Sequence, residues 1–227
     1  MDRTDIDIVT FDCYGTLIDW DGGTATFLAE LALSRGDANA PNGRALRDRW
    51  EAIQFDLIQG AYQTYDVVLS QSLRLWAEER GYGWDDTWGV ALGRAMRSWQ
   101  PFPDTRPALT RVRDAGIKLA IISNTDDAII AHTLRHLEVP FDTVITAESC
   151  GAYKPDPDVF AQAQSRLGVA PDRILHVAFG FKYDIGPAQA AGWRTAWVNR
   201  NAEPKPGMAT PDHQWRDLWG LAEMFKS

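Results

Sequence analysis

Five polar residues scattered along the chain have the types needed for displacement chemistry on a small anion: Asp12, Ser123, Asn124, Lys154 and Asp184. Asp12 stands in the run Thr10-Phe11-Asp12-Cys13-Tyr14-Gly15-Thr16-Leu17, just after residues 6–9, which read as a short buried strand. A carboxylate held where a strand opens into a cleft is a candidate nucleophile, able to form an ester that water later cleaves. In water it is a weak nucleophile, so a site must align it and strip its solvent. Lys154 has the charge to keep Asp12 ionised. At about 4 Å and an effective dielectric of about 20, such a pair attracts by roughly 4 kcal/mol before desolvation is counted. Asp184 is suited to orient Lys154 and a hydrolytic water, and Ser123 and Asn124 to donate hydrogen bonds to the substrate.

Singly, each has a plainer use. An aspartate at a strand end caps turns, Ser-Asn after a strand is common loop chemistry, and Lys154-Pro155-Asp156-Pro157 is a good helix entry. Position decides between the readings. From about residue 100 onward the pattern alternates strand and helix. Strands are expected at 118–123, 143–147, 174–178 and 195–199, with helices at 107–115, 126–137, 157–167 and 184–191. Such alternation predicts a parallel sheet with helices on both faces. In an open parallel sheet the carboxyl ends of the strands share one crevice, so the five residues converge there.

Between the first strand and residue 100 the periodicity is helical throughout. Helical pieces are expected at 26–34, 67–79 and 87–99, and Leu46, Trp50, Ile53 and Leu57 recur on one face of another. Pro101 and Pro103 close the region as a linker. The predicted architecture is an α/β, Rossmann-like core, residues 1–18 and 100–227, with an inserted all-helical cap, residues 19–99. Six of the ten tryptophans fall in that cap: Trp20, Trp50, Trp76, Trp84, Trp88 and Trp99. They suit either cap packing or an aromatic lid over the cleft.

Composition narrows the function classes. The net charge of −8 comes without any run of Lys and Arg, which argues against a nucleic-acid partner. No apolar stretch approaches the ~20 residues of a membrane span, and Met1-Asp2-Arg3-Thr4-Asp5 lacks the form of a signal peptide. Cys13 and Cys150 are too few for a disulfide framework. The expected setting is the reducing cytoplasm, with Cys13 a small buried residue behind the strand end.

Asp12-x-Tyr14-Gly15-Thr16-Leu17, Ser123-Asn124, Lys154-Pro155 and Asp184, in that order, resemble the four ordered motifs of the haloacid dehalogenase superfamily. Most members of that superfamily are magnesium-dependent phosphatases, with a second aspartate two residues after the nucleophile and usually another opening the last motif. Tyr14 and Phe179 occupy those positions here, which argues against a Mg²⁺ site. Tyr14 instead resembles the branch of type II 2-haloacid dehalogenases, which use no metal or other cofactor. That resemblance implies attack by Asp12 on the α-carbon of a short 2-haloalkanoate, loss of halide, and hydrolysis of the aspartyl ester to a 2-hydroxy acid. It implies Tyr14 lining the pocket, Asn124 helping to receive the halide, and a guiding cap arginine. Arg44, Arg47 and Arg49 lie in that region, and Arg44 is taken as the candidate. Trp50 and Gln54, one turn apart, are the cap residues expected to face the cleft.

The last motif departs from the branch. Phe179-Gly180-Phe181-Lys182-Tyr183 replaces small polar residues that would hold water and substrate, and Lys182 is a candidate replacement cation. This keeps open a same-branch hydrolase with another leaving group, for example one opening azetidine-2-carboxylate. A non-catalytic binder of small carboxylates is a third reading, against which the retained Asp12, Lys154 and Asp184 speak. The expected partner is a small anionic substrate, and the resemblance leaves a homodimer open.

Overall fold

The computed structural model describes residues 5–226; residues 1–4, part of the segment inspected for a leader, lie outside the described residues. Its strands are β1 (Ile8–Phe11), β2 (Lys118–Ser123), β3 (Thr143–Thr146), β4 (Ile174–Ala178), β5 (Arg194–Val198) and β6 (His213–Trp215). Among the described residues they form one six-stranded sheet in the order β3-β2-β1-β4-β5-β6, with every pairing parallel. β1 is central, and the strand order reverses on either side of it. This is the switch point at which such sheets open a crevice.

Period-two alternation assigns the two faces. Val9 and Phe11 point into a core shared with Leu119, Ile121, Leu175 and Val177, whereas Ile8 joins Ala120, Ile122 and Ile174 on the opposite face. Between β1 and β2 run α1 (Trp20–Ser34), α2 (Gly43–Ile58), α3 (Tyr65–Glu79), α4 (Thr87–Met96) and α5 (Thr105–Asp114). Later come α6 (Asp127–Leu137), the single turn α7 (Ala147–Cys150), α8 (Pro157–Leu167), α9 (Gly186–Ala190) and α10 (Trp219–Met224). α5 and α10 cover the Val9 face through Leu109, Val112 and Leu221, and α8 covers the Ile8 face through Val159, Phe160 and Ala163.

Helices α1–α4 pack on one another around Leu28, Leu46, Trp50, Leu69, Leu73, Trp76 and Leu92. This cluster also takes in Ile129, Ala147 and Tyr153 from the sheet-bearing part of the chain. α1 begins six residues earlier than its periodicity suggests. Gly22 and Gly23 weaken the signal there, yet the Asp19 carboxylate accepts from the Gly22 N–H at 2.9 Å and secures the first turn. β6 is only three residues long and partly exposed, too short for alternation to reveal it. Beyond β4, residues 181–185 form one π-helical turn before α9, in place of the start of a regular helix.

One carboxylate ties the helical insertion to the sheet. Thr64, the N-cap of α3, makes no side-chain cap bond. Asp126, from the loop after β2, instead accepts from the Tyr65 N–H at 2.7 Å and the Asp66 N–H at 3.0 Å. Asp126→Ala leaves both donors without that carboxylate, and the expected loss of stability is about 1–2 kcal/mol by urea unfolding. An unchanged midpoint would show that the clamp carries no load.

Candidate active site

The crevice at the carboxyl end of the sheet gathers side chains that the chain order separates. Asp12 follows β1 directly and is anchored through its backbone N–H to the Val177 carbonyl at 3.2 Å. The chain then turns sharply through Gly15, whose φ of +93° suits glycine, and the Phe179 ring packs so closely there that a Cβ would lie 2.9 Å from it. Thr16 completes the turn. Its hydroxyl donates to Asp12 Oδ2 at 2.8 Å and accepts from the Phe179 N–H at 2.8 Å. Phe179 therefore acts in this turn through its backbone and its packing.

Lys154 is the hub. Its side chain is 1% exposed, and Nζ donates to Asp12 Oδ1 at 3.0 Å, to Asp184 Oδ1 at 2.6 Å and to the Ile122 carbonyl at 2.9 Å. All three ammonium protons are used. Burial pulls the ammonium's pKa down, but the two carboxylates outweigh it and leave the pKa above 10.5. Asp12 titrates above the usual carboxylate range, because burial and the Asp184 charge together outweigh Lys154 and Thr16. Asp184 is also pushed up by burial, but Lys154 and His176 hold it below that range.

Asn124 brackets this lysine. Its Oδ1 accepts from the Lys154 N–H at 2.7 Å and its Nδ2 donates to the Lys154 carbonyl at 2.9 Å. One Nδ2 proton and Oδ1 thus hold the loop that carries Lys154, while the second Nδ2 proton has no partner among these bonds and Asn124 lines the cleft. Ser123, by contrast, has a buried hydroxyl with no partner, and it lines the cleft.

The cleft encloses about 580 Å³, part of it open to solvent. Of the residues singled out from the sequence, Asp12, Tyr14, Gln54, Ser123, Asn124, Lys154 and Asp184 line it. The Tyr14 hydroxyl is paired with Thr133 Oγ1 at 2.7 Å, and Gln54 Nε2 donates to the Tyr65 hydroxyl at 3.0 Å. Three candidates lie elsewhere. Arg44 is on the surface, paired with Glu203 at 3.1 Å, where its long side chain stays hydrated. Trp50 is fully buried inside the helical insertion against Trp20, because its bulk serves the helix–helix core. Lys182 is not part of the lining but lies just behind it, its ammonium 3.8 Å over the Phe55 ring and 5.0 Å from the Tyr183 ring centroid. Of the neighbouring arginines, Arg47 is buried among Asp21, Asp48 and Glu51, and Arg49 pairs with Glu79 at the surface.

The lining also includes Trp20, Glu51, Ile58, Tyr65, Phe179, Gly180 and Tyr183. Glu51, Gln54 and Ile58 follow helical spacing, so one stripe of α2 faces the cleft, a signal present in the sequence but masked by the stronger apolar face. Behind the lining, buried His176 on β4 bridges Thr10 Oγ1 at 2.8 Å and Asp184 Oδ1 at 3.0 Å. Its place opposite Thr10 on β1 follows from the strand register, which a lone histidine in an apolar run does not disclose.

The donor set does not suit a divalent cation. Among the described residues no group of three or more His, Cys, Asp or Glu side chains is placed to hold one. The two carboxylates nearest the centre are both committed to Lys154.

A family model described as a haloacid dehalogenase-like hydrolase matches residues 6–192. The chain belongs to that family. It is a hydrolase on the haloacid dehalogenase fold, and several of its relatives run nearly its full length. An (S)-2-haloacid dehalogenase of Pseudomonas putida is 28% identical over 226 residues, covering 96% of this chain and 97% of its own. One from Pseudomonas fluorescens is 29% identical over 211 residues, covering 92% and 91%. Among solved structures, the L-2-haloacid dehalogenase PA0810 is 28% identical with a TM-score of 0.76 over 96% of this chain and 97% of its own. The L-2-haloacid dehalogenase RSc1362, at 24% identity, shares the fold with a TM-score of 0.87 over 98% and 99%. Among the described residues no helix is long and apolar enough to cross a membrane.

Two outcomes follow for the site. With Asp12 as the expected nucleophile, which must be ionised to attack, its raised pKa moves the acid limb of kcat/KM upward, with its midpoint above 3.8 in a pH–rate profile. His176→Phe keeps an aromatic ring in place but removes a hydrogen bond to a charged group, and should lower kcat/KM on the order of tenfold. A wild-type profile in that variant would remove His176 from the site's support.

Proposed function

We propose that this enzyme hydrolyses short 2-haloalkanoates to 2-hydroxy acids through an ester on Asp12, without a metal. The observation that carries the reading is the buried Lys154 ammonium joining Asp12 and Asp184 beneath an unpartnered Ser123 hydroxyl. Residues 19–99 serve as the cap and residues 1–18 with 100–227 as the catalytic core. The (S)-2-haloacid dehalogenases matched over nearly the whole chain support the same substrate class.

In the first step an Asp12 carboxylate oxygen bonds to the α-carbon as the carbon–halogen bond breaks, and the electron pair leaves with the halide. Lys154 favours the ionised form of the attacking carboxylate against the burial that raises its pKa, and Thr16 fixes its second oxygen. Ser123 donates to the substrate carboxylate. Water then adds at the Asp12 carboxyl carbon, the ester C–O bond on the acyl side breaks, and the 2-hydroxy acid departs. One water oxygen stays on Asp12 and one proton is released to solvent. Asp184, held by Lys154 and His176, directs that water.

A second reading keeps the same displacement but expels a nitrogen leaving group, as in opening azetidine-2-carboxylate. It is favoured by the last motif, where Phe179, Gly180 and Tyr183 line the cleft without small hydroxyl or amide side chains to cradle a halide.

Turnover of excess 2-chloropropionate in H₂¹⁸O should release halide and place label in the peptide containing Asp12. Halide release with no label there would sink the ester mechanism. Asp12→Asn should abolish turnover, and Lys154→Ala should lower it by about a hundredfold or more. Inertness toward halo acids with ring opening of azetidine-2-carboxylate would select the second reading.

A further inference from the structure

The proposed chemistry leaves one carboxylate of the cleft without a task. Glu51 lies on the α2 stripe with Gln54 and Ile58, on the wall contributed by the helical insertion, and shares the lining with Trp20, Tyr65 and Tyr183. We propose that Glu51 is a substrate-selecting residue, which receives a protonated amino nitrogen while the substrate's carboxylate faces Ser123. The substrate class is then a small zwitterion, a 2-halo acid with an amino group on a neighbouring carbon. The proposal rests on the haloacid reading above and adds to it the second charge.

The hydrogen-bond inventory supports this assignment. Arg47 Nη1 holds Glu51 Oε2 at 2.9 Å. Oε1 has the Tyr183 hydroxyl at 3.4 Å, beyond the usual reach of an O–H···O bond. That oxygen keeps its lone pairs for another donor. Arg47 does not cancel the charge, since Asp21 at 3.3 Å and Asp48 at 3.1 Å share the same guanidinium. Burial raises the Glu51 carboxyl in spite of Arg47 and Lys182, a desolvation cost that a further cation beside it would offset.

The balance of the whole cleft points the same way. Asp12, Glu51 and Asp184 line it with Lys154 as the cation of the lining, already shared by Asp12 and Asp184, and Arg47 behind Glu51 is itself divided among three carboxylates. A simple anion adds a further negative charge to this set. A zwitterion brings the compensating positive charge, and aromatic walls favour a cation at close range. Trp20 already shows this affinity, with Arg47 Cζ 5.5 Å from its ring centroid. The displacement itself is unchanged, because the amino group stays on the product and halide is still the leaving group.

Two measurements test the subsite. Calorimetry with unreactive 3-aminopropionate and propionate should show the zwitterion binding about tenfold tighter, and Glu51→Gln should erase that margin. In turnover, Glu51→Gln should lower kcat/KM for 3-amino-2-chloropropionate about tenfold and raise it for 2-chloropropionate, an inversion that structural damage does not produce. Equal binding of the two acids by wild type, or a parallel loss for both chloro acids in the variant, would overturn the proposal. Binding that depends on Glu51 without halide release from either chloro acid would uphold the subsite and reject the dehalogenation reading instead.

Discussion

Taking a lysine ammonium out of water costs several kcal/mol unless its protons find strong acceptors, and Lys154 meets that demand with three of them. The acceptors come from three places: Asp12 just after β1, Ile122 within β2 and Asp184 beyond β4. They can surround one nitrogen because β1 lies between β2 and β4 in a parallel sheet, so that all three ends open on the same side. The strand order of the core and the charge state of Asp12 are therefore one constraint. Around it, Asn124 fixes the Lys154 backbone, Thr16 fixes Asp12, and His176 with Thr10 fixes Asp184. Gly180 must lack a side chain, since a Cβ there would come within 2.6 Å of Asp184 Oδ2.

The same loop that follows β2 also sets the roof of the cleft. Ser123 and Asn124 belong to the site, and two residues later Asp126 grips the first turn of α3. Tyr65, whose N–H it holds, is bonded through its hydroxyl to Gln54 on α2. Tyr153, beside Lys154 in sequence, reaches the Gln63 carbonyl at 2.7 Å. The position of the helical wall over Asp12 is thus coupled to the loops that present Ser123 and Lys154. Apolar packing of Ile129, Ala147 and Tyr153 into the helical cluster reinforces the coupling.

Departures from the branch pattern acquire physical meaning in this frame. Phe179 stands in a segment where the branch carries small polar residues, and its ring packs on Gly15 while its N–H serves Thr16. Phe181 packs against Trp197 at 5.1 Å, beneath the turn that carries Asp184. The polar character lost from that segment reappears on α2, where Glu51 and Gln54 face the cleft. In the proposed reaction, selectivity accordingly belongs to the helical wall, and the sheet carries the displacement machinery.

The sequence by itself determined the sheet and the polar groups that meet in its crevice. Alternating apolar strands and helices specify a parallel core, and Asp12, Ser123, Lys154 and Asp184 sit where buried runs stop, so their convergence follows from connectivity. The strand β6 escaped because three half-exposed residues carry no periodicity, and the start of α1 escaped because Gly22 and Gly23 dilute its signal. What only the tertiary structure decided is which side of each helix meets the cleft. Trp50 and Glu51 are adjacent in sequence but about 100° apart around the helix axis, and the packing of α2 against its neighbours turns the indole inward and the carboxylate toward Asp12's cleft. Arg44 and Arg47 are separated in the same way, one to water and one to a buried acidic cluster. The bonds of Asn124 to the Lys154 backbone were likewise set by a loop 30 residues away, since hydrogen bonds across such distances depend on how the chain returns, which local pattern does not encode.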